Sequence, residues 1–148
     1  MNKKELVSLI ENRIEERMAA AKIAMDAAQA SANEQGKSSM GDKYETSRSM
    51  GQLDRNMFAQ QYETARVEMT LLQRIQYLDH YSVVIPGSLV QTTTAWFFIT
   101  VSLGKVLFEQ TEIMVISGAS PIGKSLIGLG IGAEILFLGK KEKVLNIM

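Results

Sequence analysis

Between Lys4 and about Glu34 the chain carries no proline or glycine, and Leu6, Ile10, Ile14, Met18, Ala21, Met25 and Ala28 recur every three or four residues. That period puts them on one face of an amphipathic helix. Its distal half is rich in alanine, from Ala19 to Ala32, which favours helix and lets a second backbone come close. The pattern stops between Asn33 and Asp42, where Gly36 and Gly41 permit a tight reversal. Asp42 is placed to cap a second helix, with Glu45 three residues on. That helix carries Met50, Leu53, Met57, Gln60, Thr64, Val67, Leu71 and Leu78, a spacing close to alternating threes and fours. Two matched helices of roughly 30 residues predict an antiparallel coiled-coil arm on the order of 45 Å long.

After His80 the period changes. Val83–Ile85, Leu89–Thr94, Trp96–Val101, Val106–Phe108, Ile113–Ile116, Ile135–Leu138 and Val144–Ile147 are short runs suited to strands, separated by turn residues such as Pro86-Gly87, Gly104-Lys105 and Gly139-Lys140. About six strands forming a small antiparallel sheet are expected, with a short helix over Pro121 to Leu129 covering one face. The predicted class is α+β: a helical hairpin over residues 1–80 with its tip near 34–46, then a β domain over 81–148.

Composition narrows the chemistry. The chain has no cysteine, which excludes disulfides, thiolate metal sites and a thiol nucleophile and suits a reducing compartment. Its start has no apolar segment ahead of a cleavage site, and its apolar runs are too short or too glycine-rich to span a bilayer, so a cytoplasmic protein without membrane contact is expected. The 16 basic and 16 acidic residues balance, and both signs occur on either side of His80. A direct nucleic-acid binder usually carries a surplus of Lys and Arg, so any role on nucleic acid is expected to run through a protein partner.

Several motifs invite chemistry and do not sustain it. Gly118 to Ser125 matches the phosphate-cradling loop pattern, but only 23 residues follow and none is Asp, so no second strand remains to hold Mg²⁺. Gly128-Leu-Gly130-Ile-Gly132 resembles part of a dinucleotide fingerprint, yet it follows the short helix instead of opening it. His80 is the sole histidine, so no histidine pair for a metal can form. Trp96, Phe97 and Phe98 share one predicted strand, where core packing is expected. The tip holds Glu34, Asp42 and Glu45, oxygen donors suited to a hard cation, among Lys37, Lys43 and Arg48; by spacing alone they are equally a solvated loop.

The C-terminal part adds a further signal. It contains Val84-Ile85-Pro86-Gly87-Ser88-Leu89-Val90, then Ile116-Ser117-Gly118-Ala119-Ser120-Pro121-Ile122-Gly123-Lys124-Ser125-Leu126-Ile127-Gly128. These stretches resemble the C-terminal domain of the Gre transcript cleavage factors (GreA and GreB), and the order of elements is similar along essentially the whole chain. The resemblance implies a coiled-coil arm that enters the secondary channel of bacterial RNA polymerase, and an FKBP-like domain that docks on the channel rim. Ser120, Pro121, Ile122, Gly123 and Lys124 would belong to the polymerase-binding surface. In that family two acidic tip residues help hold the second Mg²⁺ of the polymerase and so promote cleavage of backtracked RNA, which makes the factor no enzyme of its own, stably holding no cofactor and touching RNA only at the partner's active site.

Two registers carry the family's tip onto this chain. In one, Gly41-Asp42-Lys43-Tyr44-Glu45 matches the Gly-Asp-x-x-Glu motif, and Asp42 and Glu45, with Glu34 nearby, are the metal-assisting candidates. In the other, which needs no gap and aligns more residues, Gly36, Ser39, Tyr44 and Arg48 match while the acidic positions become Lys37 and Met40. The first implies a cleavage factor, the second a modulatory or competing one. The alternative from a different class is a non-cleaving adaptor or structural coiled coil that binds another protein.

Overall fold

The computed structural model describes residues 1–35 and 41–148, with side chains described outside 35, 41–45 and 47. Two long helices, α1 (Lys3–Gln35) and α2 (Gly41–Arg74), form a hairpin; six strands and a short helix follow, in an α+β arrangement. The chain divides into two compact units, one of residues 11–69 and one that combines residues 1–10 with 70–148.

In the first unit the helices run antiparallel, with Ala32 against Gly51 and Arg17 reaching Glu68 at 3.9 Å. The α1 face is the one its period predicts: Ile14 and Ala21 are buried, and Met18, Met25 and Ala28 half-buried. On α2 the outcome differs. Met50, Leu53, Met57 and Val67 are 56, 63, 49 and 44% exposed, while the positions turned inward include Gly51, Phe58, Tyr62 and Ala65. The alanines of α1 leave little room between the backbones, so the seam takes a glycine and an alanine among larger residues and the bulkier line of α2 is left outside. Helix α2 also ends at Arg74, short of Leu78. The Tyr77 hydroxyl donates to the Leu72 carbonyl at 2.8 Å, satisfying one of the acceptors orphaned at the helix end.

In the second unit the strands are β1 (Leu89–Thr92), β2 (Trp96–Thr100), β3 (Gly104–Phe108), β4 (Thr111–Ser117), β5 (Glu134–Phe137) and β6 (Lys140–Ile147), with α3 (Pro121–Leu126) between β4 and β5. They form one sheet in the order β3-β4-β2-β1-β6-β5. The sheet is mixed, not wholly antiparallel: β2 and β4 pair in parallel, Phe97 opposite Met114 through Thr100 opposite Ser117. The cause is local. β3 is laid at the edge, and a two-residue turn at Glu109 and Gln110, both at positive φ, folds β4 back between β3 and β2. Residues 83–85 do not become a strand, although Val84 exchanges backbone bonds with Leu129 and Gly128 at 2.9 and 2.8 Å.

Phe97 and Phe98, adjacent on β2, are both fully buried because both faces of this central strand are covered. Phe97 lies in a cluster with Val90, Ile99, Leu126 and Val144, against which Ile122 and Phe137 pack. Phe98 points the other way and meets the Tyr77 ring edge-on, centroids 5.9 Å apart. Leu6, Ile10 and Leu72, from helical ends that belong to this unit, are likewise fully buried. Glu142 is a buried carboxylate on β6; it accepts from the Thr94 amide at 3.1 Å and from the Thr94 hydroxyl, tying the β1–β2 turn to β6.

Candidate functional site

Two groups of residues were singled out as candidates, the hairpin tip and the Ser120–Lys124 turn. At the tip, Glu34 is exposed at the end of α1 and Arg48 is exposed on α2. Asp42, Tyr44 and Glu45 lie on the first turns of α2, with side chains outside the described residues, as Lys37 and Met40 are altogether. Among the described residues no three metal-ligating side chains come together.

The Ser120–Lys124 turn is described in full. Ser120 is the N-cap of α3: its hydroxyl accepts from the Gly123 amide at 3.1 Å and donates to the Ser117 carbonyl at 2.6 Å. Pro121 follows at the first helical position, where its fixed φ suits a helix and its missing N–H costs nothing. Gly123 is buried, and a Cβ there would stand 2.1 Å from the Ser117 carbonyl oxygen, closer than any packed atom can lie. Ile122 leans on the core cluster. Of the five residues, then, Ser120, Gly123 and Ile122 build the turn, and exposed Pro121 and Lys124 are presented by it.

The same bonds dispose of the phosphate-loop match. The Gly123 amide is taken by Ser120 Oγ, and the Lys124 amide donates to the Ser120 carbonyl at 2.8 Å, so these amides are not aimed at a ligand. The rest of the resembling stretch is also architectural. Gly87 has φ +99°, and a Cβ on it would meet Ile75 at 2.8 Å, while the buried Ser88 hydroxyl accepts from the Ile85 amide at 3.0 Å. Gly128, at φ +88°, gives its amide to Val84.

Sequence reasoning did not single out Lys3. Its ammonium donates to the Leu78 carbonyl at 2.6 Å and lies 4.5 Å from the centre of the Tyr81 ring. Partial burial lowers its pKa to about 8, against a smaller upward pull from Asp79. On the hairpin flank an open groove of about 580 Å³ is lined by Ala20, Ala24, Phe58 and Gln61 among others, and by neither group of candidate residues. In it Glu68 is shifted upward by desolvation, which Arg17 partly offsets.

No protein-family model and no curated protein matches the chain. One solved structure, that of the transcription factor Gfh1, is similar over 93% of this chain and 92% of that one, with 18% identity and a TM-score of 0.37. A likeness at that level decides neither fold nor function. Among the described residues, no helix is long and apolar enough to cross a membrane.

Proposed function

We propose that the chain is a Gre-like transcription elongation regulator, which binds bacterial RNA polymerase and brings its hairpin turn through the secondary channel to modulate cleavage of backtracked RNA. The observation that carries this reading is the hairpin itself: two long helices drawn together by alanine and glycine, with Glu34 near the end of the first and Asp42 and Glu45 on the first turns of the second. A pair of helices is only about 20 Å across, so it suits a narrow passage. The rigid Ser120–Lys124 turn supports the same reading by offering Pro121 and Lys124 as a small docking surface.

In this scheme the polymerase owns the nucleic acid, the metal ions and the bond that breaks. Asp42 and Glu45, if they are the residues brought to the active site, would add carboxylate oxygens to the second Mg²⁺ and help orient the attacking water. If Lys37 and Met40 stand there instead, the tip supplies no such oxygen and occupies the channel as a competitor. The test is a halted elongation complex with and without the protein, preceded by pull-down with core polymerase. Absence of binding at micromolar concentration overturns the reading. Stimulated cleavage lost in the Asp42→Ala, Glu45→Ala double variant supports the cleaving form; inhibition that the double variant retains supports the competing one.

A further inference from the structure

The sheet ends at β5, and its last hairpin leaves that end open. Leu138 and Gly139, both at positive φ, make a two-residue turn between Phe137 and Lys140. Backbone groups of an antiparallel strand alternate in direction. With Ala133, Ile135 and Phe137 turned toward β6, the amides and carbonyls of Glu134 and Leu136 point away from the sheet. Among the described residues no other segment bonds them. Three exposed lysines flank this edge, Lys140, Lys141 and Lys143, and among the described residues none of their ammonium groups has an ion-pair or hydrogen-bond partner. Glu134 lies opposite Lys143 in the ladder, which leaves Lys140 and Lys141 unbalanced. Leu136, opposite Lys141, is 67% exposed, and Leu138 is 85% exposed with φ 51°. Leucine is a costly choice at that φ, where glycine or asparagine is at ease, and no packing within the chain explains it.

We propose that the free edge of β5 takes an acidic, extended segment of a partner protein as a seventh strand, antiparallel to β5. Its backbone exchanges hydrogen bonds with Glu134 and Leu136, the two residues whose groups are open. On the solvent face, carboxylates opposite Leu136 and beyond it toward the turn lie within reach of Lys141 and Lys140, since a lysine and a glutamate side chain together span the roughly 10 Å of two strand spacings. The residue opposite Glu134 is neutral. The alternate side chains are apolar and lie beside half-buried Phe137. Lysines on an edge strand commonly ward off stray pairing. That role is filled by charge alone and gives no reason for Leu138, whereas a bound strand uses both. The other end of the sheet is a contrast inside the same molecule: at β3, Lys105 and Leu107 are exposed beside exposed Glu109 and Glu112, so an acidic segment is not favoured there. An anionic membrane would match the lysines but leave the edge amides in a medium with no partner for them.

The probe is the end-blocked peptide Glu-Val-Glu-Val-Thr-Val, which carries this pattern. Its titration into the isotope-labelled full chain is expected to shift the amide signals of Glu134 and Leu136, saturating below about 1 mM, and to leave those of Lys105 and Leu107 in place. The lysine counterpart, Lys-Val-Lys-Val-Thr-Val, is expected to bind at least about tenfold more weakly, and the Lys140→Glu, Lys141→Glu chain to reverse that order. Both positions are exposed, so an unchanged spread of amide signals shows that the variant folds. Methylating the backbone nitrogen of the second glutamate, which faces Leu136, removes one ladder bond and is expected to weaken binding. Leu138→Asn is expected to weaken it too, while thermal stability holds or rises. No saturable shift up to about 1 mM, shifts centred away from β5, or a peptide preference that the charge reversal leaves unchanged overturns the proposal. So does indifference to the N-methyl group or to Leu138→Asn, and so does capture of the chain by phosphatidylglycerol vesicles without any response to the peptide.

Discussion

Replacing Gly51 by alanine sets two effects of opposite sign against each other. Within a helix that is open on that side, glycine to alanine is worth about 1 kcal/mol of added stability, because alanine loses less backbone entropy on folding. At Gly51 the new methyl would stand 2.9 Å from the Ala32 Cβ and 3.3 Å from its Cα. Neither atom is the end of a flexible side chain, and Ala32 is 2% exposed, so relief requires the helices to move apart by several tenths of an ångström. Overpacking of this kind costs about 1–3 kcal/mol and outweighs the propensity gain. The expected result is a net loss of about 1 kcal/mol for Gly51→Ala and a larger one for Gly51→Leu. Ala32→Gly should itself be destabilising, yet in the Gly51→Ala background it removes the clash. The double-mutant cycle should therefore give a favourable coupling on the order of 1 kcal/mol. Urea unfolding of the full chain, followed by far-ultraviolet circular dichroism, measures all four species. If Gly51→Ala raises stability and the cycle shows no coupling, the two helices do not touch at this point and the close-packed hairpin is wrong.

Further predictions concern the sheet unit. Gly123→Ala should destabilise it by about 3 kcal/mol or more, since the added Cβ collides with the Ser117 carbonyl, whereas Lys124→Ala, at an exposed position, should change thermal stability little while weakening polymerase pull-down. Glu142→Ala should cost about 2 kcal/mol in denaturant unfolding, because the Thr94 amide and hydroxyl lose a charged acceptor. Lys3 has a folded pKa lowered to about 8 from 10.5, so the unfolded chain binds more protons between those values and stability rises with pH across that window. The gain is on the order of 1 kcal/mol after allowance for solvent screening, and it should vanish in Lys3→Met when unfolding is measured at pH 7.5 and 10.

The α1 face was legible because its inward positions are its most apolar ones. On α2 the same search found the wrong line, and the reason is instructive: the inward positions include Gly51 and Tyr62, which a scan for hydrophobic residues passes over, whereas Met50, Leu53 and Met57 score highly and face out. Six of the strand runs were readable from turn chemistry, and so was the short helix after Ser120. The parallel pairing of β2 with β4 was not, because it follows from the Glu109–Gln110 turn placing β4 between two strands, and neither residue is a usual turn former. Burial of both Phe97 and Phe98 was hidden too, since alternation assumes one solvated face. In the Ser120–Lys124 stretch the composition marked the place, but only the distance from Gly123 to the Ser117 carbonyl separates the residues that build the turn from the two that it displays.

Leu6 and Ile10 share a compact unit with strands encoded some eighty or more residues later. During synthesis, then, Leu6 and Ile10 must wait, exposed, until the strands from Leu89 onward have been made before their neighbours exist. Nascent chains arrested ahead of Val144 should be sticky and readily cut by protease near their start, and protection should arrive late and all at once. A fragment begun at residue 70, though it holds β1 to β6, would likewise lack the side chains of Leu6 and Ile10.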